Sequence, residues 1–315
     1  MTRIAVGISS CLLGNEVRHD GGHKHSRYCT GTLSRYFDFK PVCPELEAGL
    51  GVPRPTIHLR QIGDELRVFE SKGNTDHTDR LSRFIRDKLP ELGSLRGYIL
   101  MAKSPSCGME RIKRHNAEGQ VIDREARGVF AEALMQTYPL MPVEEDGRLN
   151  DPVLRENFIE RVFAYDDWCL NVAGDHLSPQ SLIAFHTRHK FQLLAHCEKT
   201  YRELGPLLGD LKHCDLEEVA AKYIEAFMAA MTKRVSKGSH VNAMLHLLGY
   251  LKSGMDEAER DEVVDQIEAF HRGEVPLIVP MTLLRMAQRR DRVGYLDQQQ
   301  YLSPYPDELG LRNGL

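Results

Sequence analysis

No apolar run in the 315 residues approaches the roughly 18 residues that a membrane-spanning helix needs, which excludes a helical membrane protein. Residues 4–8 are apolar but too few for a signal-peptide core, and no cleavage signal follows them. A soluble, cytoplasmic protein is therefore expected. Basic charge is not in excess either: 41 Lys and Arg stand against 45 Asp and Glu, a net charge of -4. That argues against a protein coated in basic surface and leaves open a local basic groove. No Cys-x-x-Cys pair and no ferredoxin-type cysteine run occur, and neither an internal repeat nor a low-complexity segment is evident. What is present, 42% hydrophobic and 27% charged residues, excludes a disordered chain, collagen or a small disulfide scaffold. The length fits two ordinary domains or one large one.

The two halves carry different periodicities. Residues 4–8, 37–42 and 97–102 are short apolar runs bounded by Gly, Ser or Pro, as buried parallel strands are. Helical patterns cover residues 76–89 and 124–138, and residues 56–62 and 65–69 read as a hairpin around Gly63-Asp64. This is an α/β domain over residues 1–148, with a Rossmann-like parallel sheet and its site at the strand ends. The polar stretch from Glu144 to Pro152 reads as a linker. Beyond it, apolar residues recur at helical spacing through 158–172, 182–204, 216–231, 241–251, 258–271 and 282–290. The second domain, residues 152–315, is expected to be an all-α bundle. The halves carry +2 and -6.

The seven cysteines are an odd number, and in a reducing compartment they are free thiols, ligands or nucleophiles. Three of them follow strands: Cys11 in Ser9-Ser10-Cys11-Leu12-Leu13-Gly14, Cys43 in Pro41-Val42-Cys43-Pro44-Glu45, and Cys107 in Lys103-Ser104-Pro105-Ser106-Cys107-Gly108. The carboxyl ends of parallel strands share one edge of the sheet, so thiols far apart in sequence can meet there. Thiolates bind iron–sulfur clusters and zinc, and a set of three leaves one metal position open. The alternative is three buried core cysteines, since free cysteine is among the most buried residue types. Cys29, Cys169, Cys197 and Cys214 lack such surroundings and read as core or surface thiols.

These three motifs, with Val17-Arg18-His19-Asp20-Gly21-Gly22 and Gly49-Leu50-Gly51-Val52-Pro53-Arg54-Pro55, resemble the thiouracil desulfurase family. The helical half, through His186-Thr187-Arg188-His189-Lys190, Gly249-Tyr250, Val275-Pro276-Leu277-Ile278-Val279-Pro280 and Tyr301-Leu302-Ser303-Pro304-Tyr305-Pro306, resembles the helical domain often fused to it. The arrangement is similar to that of bacterial desulfidases acting on 4-thiouridine in transfer RNA. The resemblance implies that Cys11, Cys43 and Cys107 hold a 4Fe-4S cluster with one open iron. It implies hydrolytic, non-redox removal of sulfur, giving uridine and hydrogen sulfide. Glu45 would do acid/base work, and Ser104 would help position the base or transfer protons. Without the resemblance Glu45 reads as a helix-start carboxylate and Ser104 as a turn residue before Pro105. Two alternatives stay open: a desulfurase of free thiouracil or thiouridine, and a non-catalytic iron–sulfur sensor or RNA-binding adaptor.

Arg18 and Asp20 belong to a loop that closes over the base, contacts phosphate, or is simply a solvated hairpin; Lys103 orients substrate or caps a helix carbonyl. Basic clusters containing Arg111, Lys113 and Arg114, then Arg188 and Lys190, then Lys233, Arg234 and Lys237, and finally residues 289–292, are candidate RNA contacts or solvated faces. The histidines of the helical half, among them His186, His189 and His196, offer a metal site as one reading, but they share their segment with Leu and Phe and read better as packing or polar surface. No obligate protein partner and no membrane contact are indicated.

Overall fold

The computed structural model describes residues 2–291 and 294–314. It divides into two compact units, Met1–Asn150 and Asp151–Leu315. The first contains, in order, β1 (Ile4–Ser9), β2 (Phe37–Val42), α1 (Pro44–Glu47), β3 (Ile57–Ile62), β4 (Glu65–Glu70), α2 (Thr78–Lys88), β5 (Tyr98–Leu100), β6 (Ile112–His115), β7 (Val121–Ala126), α3 (Val129–Thr137) and β8 (Val143–Glu145).

Strands β2-β1-β5-β8 form one sheet in which every pairing is parallel, with Ile4 opposite Phe37, Ile8 opposite Ile99 and Tyr98 opposite Val143. Val6, Ile8, Ile99 and Leu100 are fully buried, as both faces of a parallel sheet require. A Cβ at Gly7 would lie 2.2 Å from the Tyr98 ring, so this strand carries glycine where the neighbouring tyrosine crosses it. The second sheet, β4-β3-β6-β7, joins the expected hairpin β3–β4 to a second one, β6–β7.

Three sequence expectations are corrected. Residues 124–138 are not one helix: Val121–Ala126 is a strand and the helix begins at Val129. The stretch read as a linker supplies the edge strand β8, because its carboxylates are satisfied inside the fold: Arg148 Nε donates to Glu144 Oε1 at 2.6 Å, and Met109 N–H donates to Glu145 Oε1 at 2.8 Å. The helical pattern over 182–204 is broken at Cys197, whose extended backbone separates two helices.

The second unit contains α4 (Pro152–Asn171), α5 (Pro179–His196), α6 (Glu198–Leu207), α7 (Leu216–Met231), α8 (Lys237–Leu251), α9 (Glu257–Arg272) and α10 (Ile278–Asp291) and, among the described residues, no strand. Their starts are written in the sequence. Asp151 and Asp215 accept backbone N–H groups at the starts of α4 and α7, and Ser178–Ser181 and Asp256–Glu259 form capping boxes on α5 and α9. One core gathers Phe191, Leu247, Ile267, Met281, Leu284 and Tyr301 from α5, α8, α9, α10 and the C-terminal segment. No helix among the described residues is long and apolar enough to cross a membrane.

Candidate active site

The ends of β1 and β2 and the loop after β5 bring Cys11, Cys43 and Cys107 to one cavity of about 1110 Å³, which Glu45, Ser104 and Arg54 also line. All three thiol residues are buried, at 7%, 8% and 4% exposure. Cys11 lies in a short 3-10 turn, where its carbonyl accepts from Lys24 N–H at 2.9 Å. Cys43 caps α1: Pro44 starts the helix, where a missing N–H costs nothing, and Cys43 N–H donates to Glu47 Oε1 at 2.8 Å. That cap sets Glu45 in the first turn, with Oε2 at 3.6 Å from the Cys43 sulfur.

Ser104 links the third thiol to this carboxylate. Its Oγ accepts the N–H groups of Ser106 at 3.2 Å and Cys107 at 3.1 Å, a side-chain turn that aims Cys107 inward. The same hydroxyl donates to Glu45 Oε1 at 3.4 Å. On the other oxygen, Arg54 Nη2 stands 3.8 Å from Glu45 Oε2, while Arg54 Nη1 donates to the carbonyls of Val17 and Gly51 at 3.0 and 2.9 Å. Both oxygens of Glu45 therefore have a fixed neighbour. The Cys107 turn packs against the start of α3 at Gly128, and its Ser106 carbonyl accepts from Phe130 and Ala131 N–H. Lys103 and Arg111 flank the turn with φ of 61° and 58°, a left-handed backbone that L side chains rarely adopt and that concentrates at functional sites.

Burial pushes the Cys11 thiol up to about 11 and the Cys43 thiol up to about 12. Cys107, the most deeply buried, is pushed well above the ordinary thiol value for the same reason. The negative charge of Glu45 adds to all three shifts, whereas Arg18 opposes the one at Cys11 and Arg54 the one at Cys43. Three such thiols become thiolates only beside a strongly positive partner, so the donor set fits a cationic metal group. Among the described residues no three His, Cys, Asp or Glu side chains stand close enough together for a single metal ion.

Of the other residues named from sequence, Arg18, Lys103, Arg111 and Lys113 line this cavity. Asp20 is exposed and accepts Gly22 N–H at 3.1 Å in its own loop. Arg114 is held by Asp123, with Nε 3.0 Å from Oδ2. In the helical unit, Arg188 meets Asp167 at 3.0 Å, and the Lys190 ammonium lies 4.4 Å from the centre of the Tyr295 ring. Lys233 donates to the Cys197 sulfur at 3.0 Å, while Arg234 and Lys237 are exposed. In the last basic cluster Arg290 pairs with Glu259, and Arg292 lies outside the described residues. The histidines are taken up in packing: His189 bonds Asp167 at 2.7 Å and His196 bonds Glu160 at 3.1 Å, both in the interior. Sequence reasoning assigned no role to Arg54, although it stands in one of the quoted motifs, and missed Glu145, whose charge disguised it as linker.

Residues 6–146 match the family model described as 2-thiouracil desulfurase, and residues 190–306 match that of a protein of unknown function, DUF1722. The chain joins a 2-thiouracil desulfurase domain to a DUF1722 domain. The uncharacterized protein YbgA of Escherichia coli (strain K12) is 27% identical over 155 residues, which cover 49% of this chain and 90% of that protein. A solved structure of the 4Fe-4S-dependent thiouracil desulfidase TudS is 28% identical, with a TM-score of 0.37, and the match covers 48% of this chain and 95% of that one. Cys11, Cys43, Cys107, Glu45, Ser104 and Arg54 all fall within the desulfurase domain. The DUF1722 match starts at Lys190, so α4 and most of α5 precede it.

Proposed function

We propose that the desulfurase domain removes sulfur from a thiolated uracil by hydrolysis, that Cys11, Cys43 and Cys107 hold a 4Fe-4S cluster with one open iron, and that the substrate is 4-thiouridine in transfer RNA. The observation that carries this reading is the convergence of three buried thiols on the cavity that also contains Glu45 and Ser104. When bound, such a cluster supplies a Lewis-acidic iron with affinity for a soft thiocarbonyl sulfur, which makes the ring carbon more electrophilic.

The chain supplies the rest. Glu45 takes a proton from the attacking water, and Ser104 at 3.4 Å and Arg54 at 3.8 Å fix the direction in which its oxygens point. The oxygen of water replaces sulfur on the ring carbon, the carbon–sulfur bond breaks, and the two protons of water leave with the sulfur as hydrogen sulfide. No electron donor is needed. Burial of the thiols keeps bulk solvent from the reacting centre.

The family description names 2-thiouracil, which favours a second reading in which the substrate is the free base. The cavity supports RNA instead. A volume of about 1110 Å³ far exceeds a pyrimidine, and Lys24, Lys103, Lys113 and Arg124 line it without a carboxylate partner among the described residues. Such cations suit phosphates. The test is sulfide release by anaerobically reconstituted protein from transfer RNA containing 4-thiouridine and from 2-thiouracil. Turnover of the RNA is expected. Turnover of 2-thiouracil alone would move the substrate to the free base, and full activity in iron-free protein would refute the cluster.

A further inference from the structure

The three thiols lie at the buried end of their cavity, and a base stacked inside folded RNA cannot reach them without leaving the stack. One wall of that cavity is the β6–β7 hairpin, which contributes Ile112, Lys113, His115 and Arg124. At its far end stand Val121 and Ile122, two adjacent β-branched residues that are 50% and 53% exposed. Val121 is the cross-strand partner of cavity-lining His115, so the pair sits beside the cavity.

The hairpin is built to keep its shape. At the root, Ile112 and Ala126 pack with Leu59, Val68 and Leu81. Along the stem, Arg114 pairs with Asp123. At the tip, Asn116 N–H donates to the Gln120 carbonyl and Gln120 N–H to Asn116 Oδ1, each at 2.8 Å, around Gly119 with φ of 83°. Lys113 and Arg124, on the cavity wall, have no carboxylate partner among the described residues. The hairpin's remaining acids, Glu118 and Glu125, are not among the residues lining the cavity.

A stiff hairpin with two exposed aliphatic residues beside its turn and two cations on its cavity wall matches what proteins use to unstack nucleic acid: an aliphatic wedge between two bases, with Lys and Arg on the flanking phosphates. We propose that the β6–β7 hairpin is the element that everts the target nucleotide, with Val121 and Ile122 entering the RNA stack while Lys113 and Arg124 hold the backbone. This rests on the RNA reading of the function given above.

The test uses the full chain with its cluster and the double variant Val121→Ser, Ile122→Ser. Two substrates are compared: folded transfer RNA containing 4-thiouridine, and a short unstructured oligonucleotide of the same local sequence. Because both residues are half exposed, the variant should keep its cluster spectrum and its turnover of the short oligonucleotide, and lose roughly ten-fold or more on the folded RNA. A 2-aminopurine placed beside the thiouridine should brighten when the unaltered protein binds and stay dim with the variant. Equal turnover of folded RNA by both proteins overturns the proposal. So does an equal loss on both substrates, which would make the hairpin only a wall of the site. So would a dimer that the variant dissociates without loss on folded RNA, since the patch would then meet a second copy of the chain. No sulfide from either RNA with the unaltered protein refutes the RNA reading itself, and this proposal falls with it.

Discussion

Gly128→Ala probes the packing that aims Cys107. Gly128 has φ of -64° and ψ of 141°, so its backbone suits alanine and the substitution acts only through space. An added Cβ would lie 2.5 Å from both the carbonyl carbon and oxygen of Ser106 and 2.9 Å from Cys107 N. These atoms belong to backbone that Ser104 and α3 hold by hydrogen bonds, so no flexible side chain can move aside. Reaching ordinary contact requires the Cys107 turn to back away by about 1 Å, and overpacking of this kind costs about 1–3 kcal/mol. The reduced freedom of the unfolded chain returns about 0.4–1 kcal/mol. A net loss of about 1–2 kcal/mol would lower the melting midpoint of a unit of this size by roughly 2–8 °C. Thermal unfolding of the metal-free protein measures that loss, and iron retention after anaerobic loading measures the displacement of Cys107. Gly31→Ala is the control, because a Cβ there meets nothing within 4 Å. An unchanged midpoint together with full iron content in Gly128→Ala would refute the argument that this contact holds the turn.

Other expectations concern the same site and, in one case, the helical unit. Glu45→Gln should keep the visible spectrum of the loaded protein while turnover falls by about 10²–10⁴; loss of the spectrum with the activity would make Glu45 structural. Ser104→Ala removes the acceptor of the Ser106 and Cys107 N–H groups, so a stability loss of about 1 kcal/mol in urea should accompany slower turnover. In metal-free protein, burial holds the Cys11 and Cys43 thiols at about 11 and 12 against an ordinary 9.0, so above pH 9 the unfolded chain gives up protons that the native state retains. Their contribution to stability is complete below that pH and declines as pH rises towards 11–12, which urea midpoints at about pH 8 and about pH 10 would register. Gly249→Ala, in α8 with nothing within 4 Å of its Cβ, should stabilise the helical unit by about 0.5–1 kcal/mol.

The parallel core was legible because its strands are buried on both faces and read as continuous apolar runs, and because three cysteines follow three of them. That reading expected residues as distant as Cys11 and Cys107 to meet at one sheet edge, and both line one cavity. Strand β8 was hidden because Glu144 and Glu145 look like surface, and only Arg148 and the backbone N–H of Met109, brought up by the fold, make their burial tolerable. Strand β7 was hidden for the opposite reason. It is an exposed edge strand, so its sequence shows no buried alternation, and the helical period of α3 ran into it. The break at Cys197 has no Gly or Pro to announce it. Basic residues were equally hard to sort by type: Arg114 and Arg188 occur in the same kind of cluster as Lys113 and Arg234, yet the first two are bound to Asp123 and Asp167.

The central claim, that Cys11, Cys43 and Cys107 together hold one iron–sulfur cluster, is tested most directly by counting iron and sulfide per chain after anaerobic reconstitution, alongside the visible spectrum. The unaltered protein should bind about four of each and turn brown. Cys11→Ala, Cys43→Ala and Cys107→Ala should each abolish colour and stoichiometry, whereas Cys29→Ala, Cys169→Ala, Cys197→Ala and Cys214→Ala should leave both intact. Full iron content in any of the first three variants would contradict the account.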